Sequence, residues 1–205
     1  MFRLEELTRA LQQIGLQPRH CIFDELSAAY GQSHRAYHNA DHVTECLAAL
    51  WTYRHLAERP AEVEVAIWFH DAVYETRRSD NEEASAQWAR NYLEDEAAEE
   101  STIERIEQLI LATKSHVAES ADAEILLDID LAVLGQEPQV FEAYDEGIRR
   151  EFAWVPEEAY REGRRAILQG FLARSHIYCT DDFRQAFEAQ ARRNLERKIG
   201  ELSGD

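Results

Sequence analysis

Glycine and proline are scarce in this chain: its 205 residues include 8 Gly and 4 Pro. Few turns interrupt it, so helices can run long. Alternating runs of Val, Ile and Thr, the mark of strands, are nearly missing. Cysteine is limited to Cys21, Cys46 and Cys179, far apart and without CxxC spacing. Such a set reads as reduced core thiols of a cytoplasmic protein. No apolar run is long enough to span a bilayer. The acidic, amphipathic start MFRLEELTRALQQIGLQ lacks the basic-then-apolar order of a signal peptide. Basic residues are outnumbered, 22 Lys+Arg against 40 Asp+Glu, for a formal net charge of -18. So acidic a surface repels polyanions and argues against nucleic acid as a general partner. A small phosphate ester stays open, because a bound metal reverses the potential locally.

What is present is an ordinary soluble composition, 45% hydrophobic and 30% charged. Leu, Ala, Glu and Arg dominate, all strong helix formers. Apolar periodicity predicts helices over 3–15, 20–30, 40–57, 61–75, 82–94, 101–117, 122–134, 138–151, 156–173 and 182–202. Gly15 and Pro18 stop the first helix, and TRRSDN (76–81) is a loop. The acidic stretch EDEAAEE reads as a solvated face or loop. The expected fold is an all-α irregular helical bundle. A single domain fits the length, with a core of about 20–135 and C-terminal helices, about 138–202, packed on it.

Ionisable residues fall on three apolar segments. In 61–75, Val63, Ala66, Ile67 and Tyr74 form a stripe, and His70 and Asp71 fall on it. A buried His-Asp pair must be paired, neutralised or bound to metal; a hydrogen bond tying two helices together is the plainer explanation. His34, His38 and His42 are spaced i, i+4, i+8 and share a face if their helix begins early; a solvated turn is the alternative. In 122–134, the stripe is Leu126, Ile129 and Val133. Asp130 lies on that face and Asp128 points away from it. Imidazoles and carboxylates gathered from separate helices suit a hard-to-borderline divalent ion.

The order His, His-Asp, Asp on separate helices resembles the HD superfamily of metal-dependent phosphohydrolases, and in particular a bacterial group of predicted HD phosphohydrolases. The stretches carrying the resemblance are RAYHNADHV (35–43), WFHDAVYE (68–75), DNEEAS (80–85), ATKSH (112–116), LDIDLAVLG (127–135), YDEGIRREF (144–152), YREGRRAILQGFL (160–172), IYCTDDF (177–183) and ARRNL (191–195). The resemblance implies an HD-type helical domain. It implies one divalent metal (Mn, Fe, Mg, Ni, Co or Zn) held by His42, His70, Asp71 and Asp130. Asp128 competes with Asp130 for the last position, and both the stripe and the following LAVLG favour Asp130. Within YHNADH, His38 is the candidate general acid on the leaving oxygen. HD proteins with two metals carry two further His between the His-Asp pair and the last Asp. Here that interval holds only His116, which favours one metal and hydrolysis over a diiron oxygenase.

The expected reaction is attack of metal-bound hydroxide on a small phosphate ester, a nucleotide or a related compound. Arg35, Lys114 and His116 are candidates for phosphate binding. Lys114 reads equally as a surface residue, and His116 as a helix C-terminal cap. Glu82 could orient the water or pair with Lys114; alternatively Asp80 or Asn81 caps the next helix, with Glu82 in its first turn. Tyr144, Arg149, Tyr160, Arg164 and Tyr178 read mainly as packing. The competing readings are a non-catalytic metal- or nucleotide-binding sensor and a helical interaction protein. Oligomeric state is left open, a homodimer among the options.

Overall fold

The structure, a computed structural model, describes residues 2–17 and 21–204. Pro18 and His20 lie outside them. The described residues are helical, with no strand among them. The order is α1 (Leu4–Gln13), α2 (Cys21–Tyr30), α3 (Ala40–Tyr53), α4 (Pro60–Phe69), α5 (Asn81–Asp95), α6 (Glu100–Ser115), α7 (Ala121–Asp130), α8 (Pro138–Glu151), α9 (Glu157–Leu172), α10 (Asp181–Phe183) and α11 (Ala189–Ser203). No helix among these residues is long and apolar enough to cross a membrane. The contacts divide the chain into two compact units, residues 1–129 and 130–205.

In the N-terminal unit α4 packs against α1, α3, α5 and α6. Pro60 opens it, where a missing N–H costs nothing. Every residue from Glu62 to Phe69 is buried, so the stripe expected over 61–75 does not exist. A helix buried on every side belongs at the centre of its unit. It also ends sooner than expected: His70 is its C-cap, and Asp71 and Tyr74 lie beyond it. The two acids of this helix are paired inside. Glu62 accepts two 2.7 Å bonds from Arg105. Glu64 pairs with Arg9 at 2.7 Å and Arg54 at 3.1 Å. Burial nonetheless raises the Glu64 pKa above its ordinary value, against the pull of both arginines. Asp122 accepts from the backbone N–H of Glu58 (2.7 Å) and Arg59 (3.1 Å), fixing the chain's entry into α4.

The stripe argument fails on α7 too. Ile125 through Ile129 are all buried. Asp128 is fully enclosed, whereas Asp130 is half-buried. A helix covered on several sides gives no amphipathic signal to separate the two acids. α7 ends at Asp130, four residues before the expected boundary, and a 3-10 turn, Leu131–Gly135, follows. α3 likewise gives way to a 3-10 turn at Arg54–Leu56.

In the C-terminal unit α11 packs on α9 and on the Leu131–Gly135 turn. The Asn194 amide donates to the carbonyls of Leu134 (2.9 Å) and Gln136 (2.8 Å). Tyr178 donates its hydroxyl to the Leu131 carbonyl at 3.1 Å. The helix expected over 182–202 is broken by a π-helical turn, Arg184–Glu188, between α10 and α11. The Tyr-Arg residues of this unit engage one another. Arg164 bonds Asp145 at 2.8 Å and lies 5.1 Å from the Tyr144 ring. Arg149 lies 4.5 Å from the Tyr160 ring. Burial pushes the Tyr160 hydroxyl pKa up to about 12.

Candidate metal centre

The first candidate ligand is placed by a helix start. Asn39 is the N-cap of α3, in extended conformation, and its side chain accepts from the backbone N–H of Asp41 (2.8 Å) and His42 (3.4 Å). An Asn at this position ties down otherwise unpaired donors of the first turn. His42 therefore sits in that turn, buried. Because the helix begins at Ala40, His34 and His38 are not on it, and the expected shared face of three imidazoles is not formed. His34 is exposed and its Nε2 lies 2.9 Å from the Tyr74 carbonyl.

The second candidate ligand is placed by a helix end. His70 caps α4, and its backbone N–H bonds the Ala66 carbonyl at 2.8 Å. Its Nδ1 donates to the Ile67 carbonyl at 2.9 Å. A carbonyl only accepts, so the proton is on Nδ1 and Nε2 carries a lone pair. The negative end of the α4 dipole lies here, which favours a cation.

Asp71 follows directly. Its Oδ2 stands 3.1 Å from His70 Nε2 and 3.7 Å from His42 Nε2. The two Nε2 atoms are 3.2 Å apart. Ligand bonds of about 2.0–2.2 Å set neighbouring donor atoms roughly 3–3.5 Å apart around one ion. The three residues fit a divalent metal. Two nitrogens and an oxygen form a borderline donor set. Burial opposes ionisation of Asp71. The surrounding His70, His38 and His42 still hold its carboxyl below the usual range.

A shell of side chains immobilises the turn that carries Asp71. The Arg35 guanidinium is buried and donates to the carbonyls of Asp71 (2.5 Å), Ala72 (2.9 Å) and His38 (3.1 Å), and to Gln32 Oε1 (3.0 Å). It lies between the rings of Tyr30 and Tyr74, 5.2 and 5.6 Å from their centroids. Tyr30 donates to the Trp68 carbonyl at 3.0 Å. Buried Ser85 accepts from the Val73 N–H at 3.0 Å. Asn81 accepts from Glu75 N–H and donates to Glu75 C=O, at 3.0 and 3.1 Å.

The remaining sequence candidates are placed as follows. The His38 ring stacks on Tyr74 at 4.2 Å, and its centroid is 6.0 Å from that of His42. Glu82 stands half-buried in the first turn of α5. Lys114 pairs with Glu83, not Glu82, and donates to the Ser79 carbonyl at 2.7 Å. Asp80 holds the N-cap position of α5, but neither it nor Asn81 caps through a side chain. The Asp80 carboxylate takes a two-pronged bond from Arg78 instead. His116 is the C-cap of α6, in the left-handed conformation at φ 50. Asp130 is the last residue of α7 and the first of the C-terminal unit. The sequence reading missed Asn39 as a cap, although Asn directly before a helix is a recognisable signal. It also missed Tyr30 and Ser85, which carry no local signal. Cys46, buried one turn after His42 with Sγ 3.7 Å from His42 Nε2, was detectable by its i+4 spacing.

A cavity of about 700 Å³ in the N-terminal unit lies elsewhere. Glu58, Glu62, Glu104, Glu119 and Asp122 line it beside Arg59 and Arg105. Both arginines are within ion-pairing distance of acids there, so the lining repels an anion.

No protein-family model, curated protein or solved structure matches this chain.

Proposed function

We propose that the protein is a metal-dependent phosphohydrolase of the HD type, acting on a small phosphate ester. The convergence of His42 Nε2, His70 Nε2 and Asp71 Oδ2 within 3.1–3.7 Å of one another carries this reading. The resemblance in sequence adds Asp130 as the fourth ligand. A divalent ion there supplies Lewis acidity and lowers the pKa of a water, the two requirements for attack on phosphorus near neutral pH.

The chain's own groups supply the rest. The Ile67 carbonyl keeps the His70 proton on Nδ1, which leaves Nε2 a lone pair that would serve to hold a metal. Asn39 holds the helix start that aims His42. Arg35 fixes the Asp71–Ala72 backbone, which sets the carboxylate direction. His38, on the same Arg35 clamp through its carbonyl, delivers a proton to the leaving oxygen. Its ring stacks on Tyr74 at 4.2 Å.

Metal content and phosphate release from one purified sample test the reading. Wild type is compared with His42→Ala, Asp71→Ala and Asp130→Ala, against a panel of nucleotides and a generic phosphate ester under several added metals. The expected result is about one metal per chain, lost together with phosphate release in the variants. Folded wild type that takes up no metal under any loading condition overturns it and leaves a helical interaction protein. Metal bound stoichiometrically without turnover of any ester leaves the sensor.

A further inference from the structure

We infer that the cavity of about 700 Å³ in the N-terminal unit binds an aliphatic amine, a cationic head on a saturated hydrocarbon tail. The volume lies within the roughly 300–1,000 Å³ of small-molecule sites. The assignment goes beyond the phosphohydrolase reading and uses none of its residues.

Helix α6 gives the cavity a direction. Glu104, Gln108, Leu111 and Ser115 line it at i, i+4, i+7 and i+11, one face of the helix. From first to last they cover about 16 Å. The start of that face is charged. Arg105 donates to Glu62 through two 2.7 Å bonds. Asp122, whose charge acts on Arg105, accepts from the Glu58 and Arg59 N–H groups at 2.7 and 3.1 Å. The other end is apolar. Leu109, Leu111 and Ala112 belong to the last two turns of α6, and Val117, 59% exposed, follows it.

Charge fixes the sign of the ligand. Five carboxylates and two guanidiniums line the cavity, an excess of three negative charges. Glu62 neutralises Arg105, and Arg59 is drawn to Glu58 at 3.4 Å and to Asp122 at 3.9 Å. Glu104 and Glu119, both exposed, carry no ion pair among the described residues. A cation therefore gains two new partners here. The lining also chooses among cations. A metal ion needs oxygens that converge on one point; among the described residues, the groups that converge so are the two at His42. A flat or quaternary cation is held on aromatic faces, and no Phe, Tyr or Trp lines the cavity. An ammonium on a saturated chain suits both ends: its N–H groups donate to the carboxylates, and its methylenes cover Leu109, Leu111, Ala112 and Val117.

Equilibrium binding of octylammonium, ethylammonium, octanol and Mg2+ to the 205-residue chain tests the site without using activity. Wild type is compared with Glu104→Gln/Glu119→Gln, with Val117→Ser, and with Glu5→Gln/Glu25→Gln, which removes the same charge from exposed positions outside the cavity. Circular dichroism confirms folding. Octylammonium should bind at least about tenfold tighter than ethylammonium, since each fully buried methylene contributes about fourfold. Loss of the two cavity carboxylates should weaken it by about 2- to 30-fold, the scale of two exposed ion pairs. Val117→Ser should weaken octylammonium and leave ethylammonium unchanged. The outer double variant should bind as wild type does. Octanol or Mg2+ binding as tightly as octylammonium overturns the inference, and so does equal loss in the two double variants. A peptide of Lys and Leu that occupies the cavity more tightly than octylammonium overturns it in favour of a protein partner. Phosphate release enters none of these comparisons, so the site and the hydrolase stand or fall separately.

Discussion

Arg35 separates two physical roles, and its replacement decides between them. As a phosphate ligand it would keep donors available for substrate; in the structure it donates to the carbonyls of His38, Asp71 and Ala72. Bonds from a charged donor contribute about 1.5–3 kcal/mol each. Contacts with Tyr30 and Tyr74 add about 0.5–2 kcal/mol. Returning the guanidinium to water recovers several kcal/mol of desolvation, so the gross figure must be cut by about half. Arg35→Ala should therefore destabilise by about 2.5–5.5 kcal/mol. Tm should fall by roughly 2–4 °C per kcal/mol. Metal affinity should weaken by about 10–100-fold, as for other groups that orient ligands. Arg35→Lys should recover only part, since an ammonium lacks the fork that spans adjacent carbonyls. Thermal unfolding and competition against a chromogenic chelator read both quantities. An Arg35→Ala protein with unchanged Tm and metal affinity, but a raised KM for phosphate ester, would refute the clamp and restore the phosphate-binding role.

Asn39→Ala should destabilise by about 0.5–2 kcal/mol and weaken metal binding, while Asn39→Asp, which keeps the cap, should do neither in unfolding and chelator-competition assays. A Cβ added to Gly135 would lie 2.6 Å from Phe187 Cβ and 2.7 Å from its carbonyl oxygen, whereas one added to Gly163 meets nothing within 4 Å. Gly135→Ala should thus cost about 1–3 kcal/mol, and Gly163→Ala, inside α9, should gain about 0.5–1 kcal/mol, both measured by denaturant unfolding. Glu64 titrates above its ordinary 4.5 in the native state, so between those two values the native chain binds more protons than the unfolded one. Its contribution to stability then falls as pH rises through that window. The stability of wild type relative to Glu64→Gln should accordingly increase as pH is lowered toward about 4.5, and a difference independent of pH would contradict the burial assigned to Glu64.

Local pattern was legible and long-range pairing was not. Helix existence followed from periodicity, and Gly15 at φ 88 closes α1 where the sequence places the stop. α4 was misjudged as one-sided, although Glu62 and Glu64 are buried with the rest of it. Their partners Arg105, Arg9 and Arg54 come from other segments, and nothing in 60–69 announces them. The order of Asp128 and Asp130 in burial reversed for the same reason: α7 is covered on several sides, which removes the contrast on which amphipathic reading depends. At the centre, His42, His70 and Asp71 were readable as residues. Their geometry depends on Asn39, Arg35 and Ser85, polar groups whose roles appear only when distant backbone is brought near.

The enclosure of the centre is uneven. His42 and His70 each retain 3% of their exposure, and the Asp71 side chain keeps 17%. On the proposed reading, an incoming ion would meet the carboxylate first and the two imidazoles afterwards, and would depart in the reverse order. Dissociation has to break the nitrogen bonds while no solvent stands behind them, so a held ion would be kinetically inert as well as tightly bound. A chelator in solution should strip it at a rate set by opening of the turn after α4, nearly independent of chelator concentration.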